Sequence, residues 1–493
     1  SSGQVLTSAG AGAVPSFQTA ASGGGTPAAG DLSTGSRNVA LSATALDSIQ
    51  AGATDNTAVG YDALTAITTG DFNVAIGSYA GKSLTEAQCG VAIGYNALCA
   101  ATGGNRNIAI GYQPMQVNVT GYNNTAMGNC ALKSLTGGTN NLALGDFAGC
   151  GITTGNENVA IGVKTLAGTN TAHKNVAIGF CAGRSITSGG CNVLMGYNTG
   201  CAITTGVQNV LMGRQVGQKI TTGCKNIMIG SEIMQNSTAT GAKCNVLIGG
   251  ASVASYAGNI CNNVMIGANV ARVMNQSDQT RATCGDVIIG GNAAFNYSPT
   301  SLEPHNVFIG TDAARSLTTG TENTFVGGKA ARSGTTTGSN NLALGYISLS
   351  DISTGSYNIA LGSSGGSITT GINNITLGRI AGSGITTGGQ NIAIGCGTMN
   401  AAATDSYAAK IALGIQAGKS ITSATKNIAI GYQAGCALTT GSNNIAIGNE
   451  ATPSSATVSN EITLGNTNNT LFRLPGVQAS ASSGHIMCYN GTS

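Results

Sequence analysis

The chain has 493 residues, 76 of them Gly, and only 8% are charged, 21 Lys and Arg against 18 Asp and Glu. A net charge of +3 over that length forms no basic stripe and argues against nucleic acid as a partner. The apolar residues come in runs of about four, far short of the roughly 20 needed for a membrane helix, so no membrane insertion is expected.

Residues 1–37 precede a repeat that occupies most of the chain. Its mark is Asn-[Val/Ile]-Ala-[Ile/Leu]-Gly, first anchored at Asn38, Asn56 and Asn73. From 56 to 226 the anchors recur every seventeen residues through Asn107, Asn124, Asn141, Asn158, Asn175, Asn192, Asn209 and Asn226, with Gly90 holding one place. Spacing then loosens to Asn245, Asn263, Asp286 and Asn306. It settles again through Asn323, Asn341, Asn358, Asn374, Asn391, Lys410, Asn427, Asn444 and Glu461, for 25 anchors in all. A short period sustained this long marks a solenoid in which each repeat is one turn stacked on the last. The fold class expected is all-β, a parallel β-roll of about 25 coils and a rod in outline, with its shaft at 38–477 and further segments at 1–37 and 478–493.

Coil 141 serves as the type, with Asn141 as slot 1. Slots 1 to 5 alternate as a strand, placing slots 2 and 4 (Leu142, Leu144) on one face and slots 1, 3 and 5 on the other. The large residues at slots 2 and 4 are read as the core, together with Ala148 and Ile152. Gly145 ends the strand, Ala148 and Gly149 round a corner, slots 11 to 13 make a second short strand, and Thr-Thr-Gly turns back. Glycine supplies the positive φ that such corners need. A lone coil buries too little to fold, so stacking must supply backbone ladders, and superposed Asn side chains can add amide ladders.

On this reading slot 3 faces outward and is nonetheless apolar. It is Ala75, Ala109, Ala126 and Ala143 in the early coils. It turns bulky through Leu194, Met228, Phe308 and Phe325, then returns to Ala. An exposed apolar stripe demands cover, and other copies of the chain are the economical cover. Those eight residues are therefore expected to line an axis between chains, which the bulky section would widen.

The 14 cysteines show no CxxC and no zinc spacing with histidine, so no metal is expected. Cys130 with Cys150, and Cys181 with Cys201, fall on adjacent coils and are the intrachain pairs this reading allows. A reducing cytosol would leave them as thiols. No phosphate-binding Gly-x-x-x-x-Gly-Lys-Ser/Thr motif appears, so no nucleotide cofactor is expected. Acidic residues are densest at Asp286, Glu303, Asp312 and Glu322, the one place to look for the carboxylate pair of a glycosidase. The absence of Trp and the turn positions of these acids argue for no enzyme. The longest coils follow 226, 245, 263 and 286 and carry Arg272, Asp278, Arg281, Phe295 and Tyr297. Loops on a rigid scaffold are where binding residues sit, and aromatic plus Arg is hot-spot chemistry, so these five are the candidate receptor contacts.

The motif in Asn73-Val74-Ala75-Ile76-Gly77 and Asn427-Ile428-Ala429-Ile430-Gly431 resembles the head repeat of trimeric autotransporter adhesins. The longer form in Ala381-Gly382-Ser383-Gly384-Ile385-Thr386-Thr387-Gly388 resembles the version found in bacteriophage tail fibres. That resemblance implies a left-handed coil and a parallel homotrimer. The number three comes from it alone. Ser1–Gly10 and Ser482–Gly491 resemble small connector modules of such fibres, and Leu471–Gly476 the segment that closes a repeat block. The function implied is the shaft of a viral tail fibre in the virion, joined to other fibre or tail proteins and projecting a tip toward a host cell-surface receptor, glycans included. A bacterial surface adhesin is the alternative, and a polysaccharide-cleaving spike a weaker one.

Overall fold

The computed structural model describes residues 4–7, 16–19, 37–42, 44–50, 52–235, 240–253, 259–272, 282–299, 301, 303–333, 336–401 and 409–469. The chain divides into two units, Ser1–Glu322 and Asn323–Ser493. In the first, an antiparallel pair Gln4–Thr7 and Ser16–Thr19 precedes the repeat. Short parallel strands then follow from Val39–Leu41 to Val307–Ile309, and the second unit runs from Thr324–Val326 to Ile462–Leu464. Within each unit a coil's strand pairs with that of the coil before it at identical slots, as Leu142, Ala143 and Leu144 do with Val159, Ala160 and Ile161. The solenoid expectation holds. Residues 478–493 and the Leu471–Gly476 segment lie outside the described residues.

Three residues suffice for each strand because every side of the coil is laddered. The Leu142 N–H donates to the Asn158 carbonyl at 2.8 Å and the Gly145 N–H to that of Met127 at 2.8 Å. On the return side the Thr136 N–H reaches the Thr153 carbonyl at 2.9 Å, and the Thr136 hydroxyl donates to the same oxygen at 3.2 Å. The expected second strand at slots 11 to 13 is thus a hydrogen-bonded turn. Only isolated bridges such as Ile152 with Asn170 are paired there.

The anchor column is built as the amide ladder anticipated. Asn141 donates its N–H and its Nδ2 to Oδ1 of Asn124, both at 3.0 Å, and donates Nδ2 again to the Gly155 carbonyl at 2.8 Å. Its own Oδ1 accepts the equivalent pair from Asn158 at 3.0 and 3.1 Å. Each carboxamide therefore locks the coil below, the coil above and the closing turn of its own coil. Such a network gains most in a dry interior, and Asn124 to Asn226 are 0–2% exposed.

That placement reverses the facing expected from the sequence. Slots 1 and 3 share a face, so slot 3 enters the interior with the Asn. Ala75, Ala109, Ala126, Ala143, Leu194, Met228, Phe308 and Phe325 are all 0% exposed within the single chain. A side chain with no free surface lines no axis between chains, and the eight are core residues. Leu142 and Leu144 point outward and are half-buried. Expecting the larger residues inside fails because the amide column needs the dry side of the strand, and slot 3 shares that side with slot 1.

At the two Phe coils the corner residues are small. Ala126 lies in a coil with Leu132 at slot 9, whereas Phe308 has Ala313 and Ala314 and Phe325 has Ala330 and Ala331, all buried. At Phe308 and Phe325 the small corner leaves the space the rings fill, whereas Met228 shares its coil with Ile233 and Met234, also buried. Backbone geometry repeats strictly. In coil 141 positive φ occurs at Gly145 (126°), Phe147 (56°), Gly149 (59°) and Glu157 (58°). Glycine is therefore not the only residue at these corners. It is required at slot 5, where a Cβ on Gly145 would lie 2.9 Å from the Gly162 carbonyl carbon.

Two substitutions test this account. Asn158→Ala leaves partners on both neighbouring coils unsatisfied and is expected to cost about 3 kcal/mol, read as a lower urea midpoint. Ala143→Leu should destabilise by about 1–3 kcal/mol through overpacking, whereas the same enlargement at the outward Thr125, Thr125→Leu, should be near neutral.

Candidate functional site

The long coils place the five candidate receptor contacts very differently. Asp278 and Arg281 lie outside the described residues. Arg272 is exposed, with Nη1 3.5 Å from Oδ1 of Asn269. Phe295 is half-buried, and the Arg315 guanidinium lies over its ring at 5.7 Å, with Asp312 4.0 Å from Arg315. Tyr297 is 0% exposed and so offers nothing to a receptor. It sits at slot 12 of coil 286, where other coils carry Ile or Leu, and meets Phe308 edge-to-face with centroids 6.1 Å apart.

The Tyr297 hydroxyl explains the irregular anchor beside it. In ordinary coils the anchor amide donates to a carbonyl of its own closing turn. Here the phenol donates to Oδ2 of Asp286 at 2.9 Å and accepts Nδ2 of Asn306 at 2.9 Å. An anchor facing a donor must accept, hence a carboxylate in place of the carboxamide. Oδ1 of Asp286 keeps the ladder role by accepting the Asn306 N–H at 2.8 Å, and the Asp286 N–H continues the column to Oδ1 of Asn263 at 2.9 Å. Burial pushes the Asp286 carboxyl up to about 6, with the hydrogen bonds from Asn306 and Tyr297 and the nearby His305 pulling the other way.

Of the acids weighed for glycoside cleavage, Asp286 is sealed in the core, while Glu303 and Glu322 are exposed. Glu303 lies 3.9 Å from His305. Among the described residues no cluster of His, Cys, Asp or Glu has the makings of a metal site, and no helix is long and apolar enough to cross a membrane.

Cysteine pairing departs from expectation at one pair, while the cysteines read as half-buried thiols stay free. Cys130, Cys150, Cys181 and Cys201 are free, and the bonded pair is Cys261–Cys284, with Cα atoms 4.6 Å apart. These two stand two residues before successive anchors, in one column of neighbouring coils, and ladder spacing is itself within disulfide reach. The pairs the spacing allowed joined slot 7 to slot 10, which are different columns. Burial raises the thiols of Cys99, Cys150 and Cys201, keeping them protonated and unreactive near neutral pH.

Two surface features went unnoticed in the sequence. The first is the outward face at slots 2 and 4, aliphatic in nearly every coil, with Ile76 40%, Ile108 37%, Met127 43% and Ile447 40% exposed. The second is a row of tyrosines at slots 6 and 7 of four consecutive coils. Tyr61, Tyr79, Tyr95 and Tyr112 lie with successive centroids 5.5, 6.0 and 5.4 Å apart. Recurrence of Tyr just after the slot 5 glycine was the available signal for that row.

No family model and no curated protein matches this chain.

The Asp286 site carries a pH prediction. Its folded-state value lies above the ordinary carboxylate range, so the folded protein holds the proton more tightly. The associated stability is fully present below about pH 4 and is lost as pH rises through about 6. Hydrogen exchange of the Val287–Ile289 amides, corrected for intrinsic rates, should therefore be slower at about pH 5 than at about pH 7. Asp286→Asn should flatten that difference.

Proposed function

We propose that the chain is a shaft section of a viral tail fibre, built of copies packed side by side through their slot 2 and slot 4 faces. The observation that carries this is the outward aliphatic face. In the first unit it runs from Val39 and Leu41 to Val307 and Ile309, with Thr only at 57 and 125. In the second it runs from Val326 to Leu464 with Thr only at 324. Single exposed aliphatics are ordinary, whereas columns of them broken only by an occasional Thr call for cover.

A second copy is the cover that fits. A parallel copy brings a face of the same chemistry and the same repeat, so side chains stay in step along the contact. Tens of Å² per coil over one unit amount to on the order of 1,000 Å², against about 800 Å² per partner in a standard interface. That there are three chains, and that they lie parallel, is carried over from the adhesin heads the motif resembles. The Ala-Gly and Ile-Thr-Thr-Gly form of the coil favours tail fibre over bacterial adhesin.

In this reading the shaft performs no catalysis and needs no cofactor. Its work is to hold other fibre modules and a receptor-binding tip away from the particle. Arg272 and Phe295, on the surface of the long coils, are the residues left for a lateral contact with a host receptor.

Sedimentation equilibrium tests the assembly. The unmodified chain should sediment as three copies. Ile93→Glu with Ile110→Glu, on the outer face, should release folded monomers whose far-ultraviolet dichroism is unchanged. Ala109→Asp, in the interior, should instead damage the fold. A folded monomer of the unmodified chain sinks the proposal.

A further inference from the structure

The tyrosine row lies at the corner of the coil, one or two residues past the slot 5 glycine, on coils 56, 73, 90 and 107 of the first unit. Tyr61, Tyr95 and Tyr112 are 53%, 43% and 52% exposed, so their rings contribute little to the core. The backbone beneath them is fixed. The Tyr61 carbonyl accepts the Tyr79 N–H at 2.8 Å, the Tyr95 carbonyl the Gln113 N–H at 2.9 Å, and the Tyr112 carbonyl the Cys130 N–H at 2.8 Å. With two side-chain torsions each, rings on such a base lose little entropy when a ligand settles on them.

The flanking residues are short, polar and planar. Asp62, Asn96 and Gln113 occupy slot 7 beside the rings. Lys82 lies 3.1 Å from Asp62 and 4.9 Å from the centre of the Tyr79 ring. Lys133 Nζ donates to Oε1 of Gln113 at 3.3 Å. Lys82 is neutralised by Asp62, which leaves Lys133 as a single cation beside a neutral amide, too little charge to hold a polyanion, and single-stranded nucleic acid lacks the positive groove it requires.

We propose that this row is a lateral binding site for a neutral polysaccharide, a ligand whose own rings repeat along its length. A pyranose ring has an apolar C–H face that packs on an aromatic ring and an equatorial edge of hydroxyls. Carboxylate, carboxamide and ammonium groups can donate to and accept from that edge. Tyr79 stands edge-on to Tyr61 and Tyr95, at 86° and 84°, while Tyr95 and Tyr112 lie within 15° of parallel, so ring faces and edges alternate along the row, and slot 7 supplies the polar partner on coils 56, 90 and 107. The assignment rests on this corner alone and stands apart from the fibre reading, because the outward face of slots 2 and 4 is not part of it.

The test uses the full chain in its native assembly. The absence of Trp leaves tyrosine emission unmasked. Titration calorimetry and tyrosine quenching would be run with linear hexasaccharides of glucose, N-acetylglucosamine, galactose and mannose, and with a thymidine oligonucleotide. Saturable binding of at least one hexasaccharide is expected. Tyr95→Ala with Tyr112→Ala should weaken it about tenfold or more, whereas Tyr95→Phe with Tyr112→Phe keeps most of the affinity and Tyr346→Ala in the second unit changes nothing. Sedimentation of each variant separates a binding defect from an assembly defect. No binding to any hexasaccharide, binding unchanged by the alanine pair, a preference for the oligonucleotide, or dissociation of the assembly by the alanine pair overturns the proposal.

Discussion

Everything regular in this protein depends on a column of buried carboxamides. A carboxamide of this length has two N–H donors and an oxygen that accepts twice, and here all four capacities are used. The oxygen of Asn141 holds the next coil by two bonds, while its nitrogen holds the previous coil and the closing turn. Axial register, coil closure and the facing of slots 1 to 5 therefore follow from one side chain. A slip of one residue would expose the amide and bury the Val or Ile beside it. Positive φ at Phe147 and Glu157 is tolerated because the ladder bonds on both sides hold those corners.

Departures from the column show its rules. Gly90 has no amide to offer, and the Asn107 amide turns to the Gly104 carbonyl at 3.1 Å. Asp286 accepts because Tyr297 donates. Lys410, 2% exposed, is a donor alone, and its Nζ reaches the Thr422 carbonyl at 3.3 Å. Glu461 stands at the last strand described, accepting from Ser454 of the preceding coil and from Thr463 of its own. Those bonds hold its carboxyl below the usual carboxylate range. Each exception changes the hydrogen-bonding character of the side chain to suit a local partner, so the exceptions mark where the coil differs from the type.

Interior and exterior answer to different constraints. The interior at slot 3 is Ala in most coils and Leu, Ile, Met or Phe where the repeat turns bulky, and these side chains are buried. The exterior at slots 2 and 4 carries Val, Ile and Leu in nearly every coil, an arrangement that suits a surface meant to be covered. The corner at slots 6 and 7 is free of both demands, and there aromatic and polar residues collect. Association, recognition and folding thus use different slots of one repeat.

The period, the strand at slots 1 to 5, the glycine at slot 5 and the stacked Asn were all legible in the sequence. They arise from local geometry and from a repeat that returns the same chemistry to the same place. Alternation also grouped slots 1 and 3 against slots 2 and 4, but it could not decide which group turns inward, since both are apolar. Only the closed coil decided that, through the dry site the amide column requires. The same holds for the site residues. Tyr297 reads as an exposed loop aromatic until the fold places it at a core slot against Asp286, and Cys261 meets Cys284 because two coils of unequal length bring one column into register. Sequence spacing states what repeats, and the tertiary structure alone decides which side of the chain each repeat conceals.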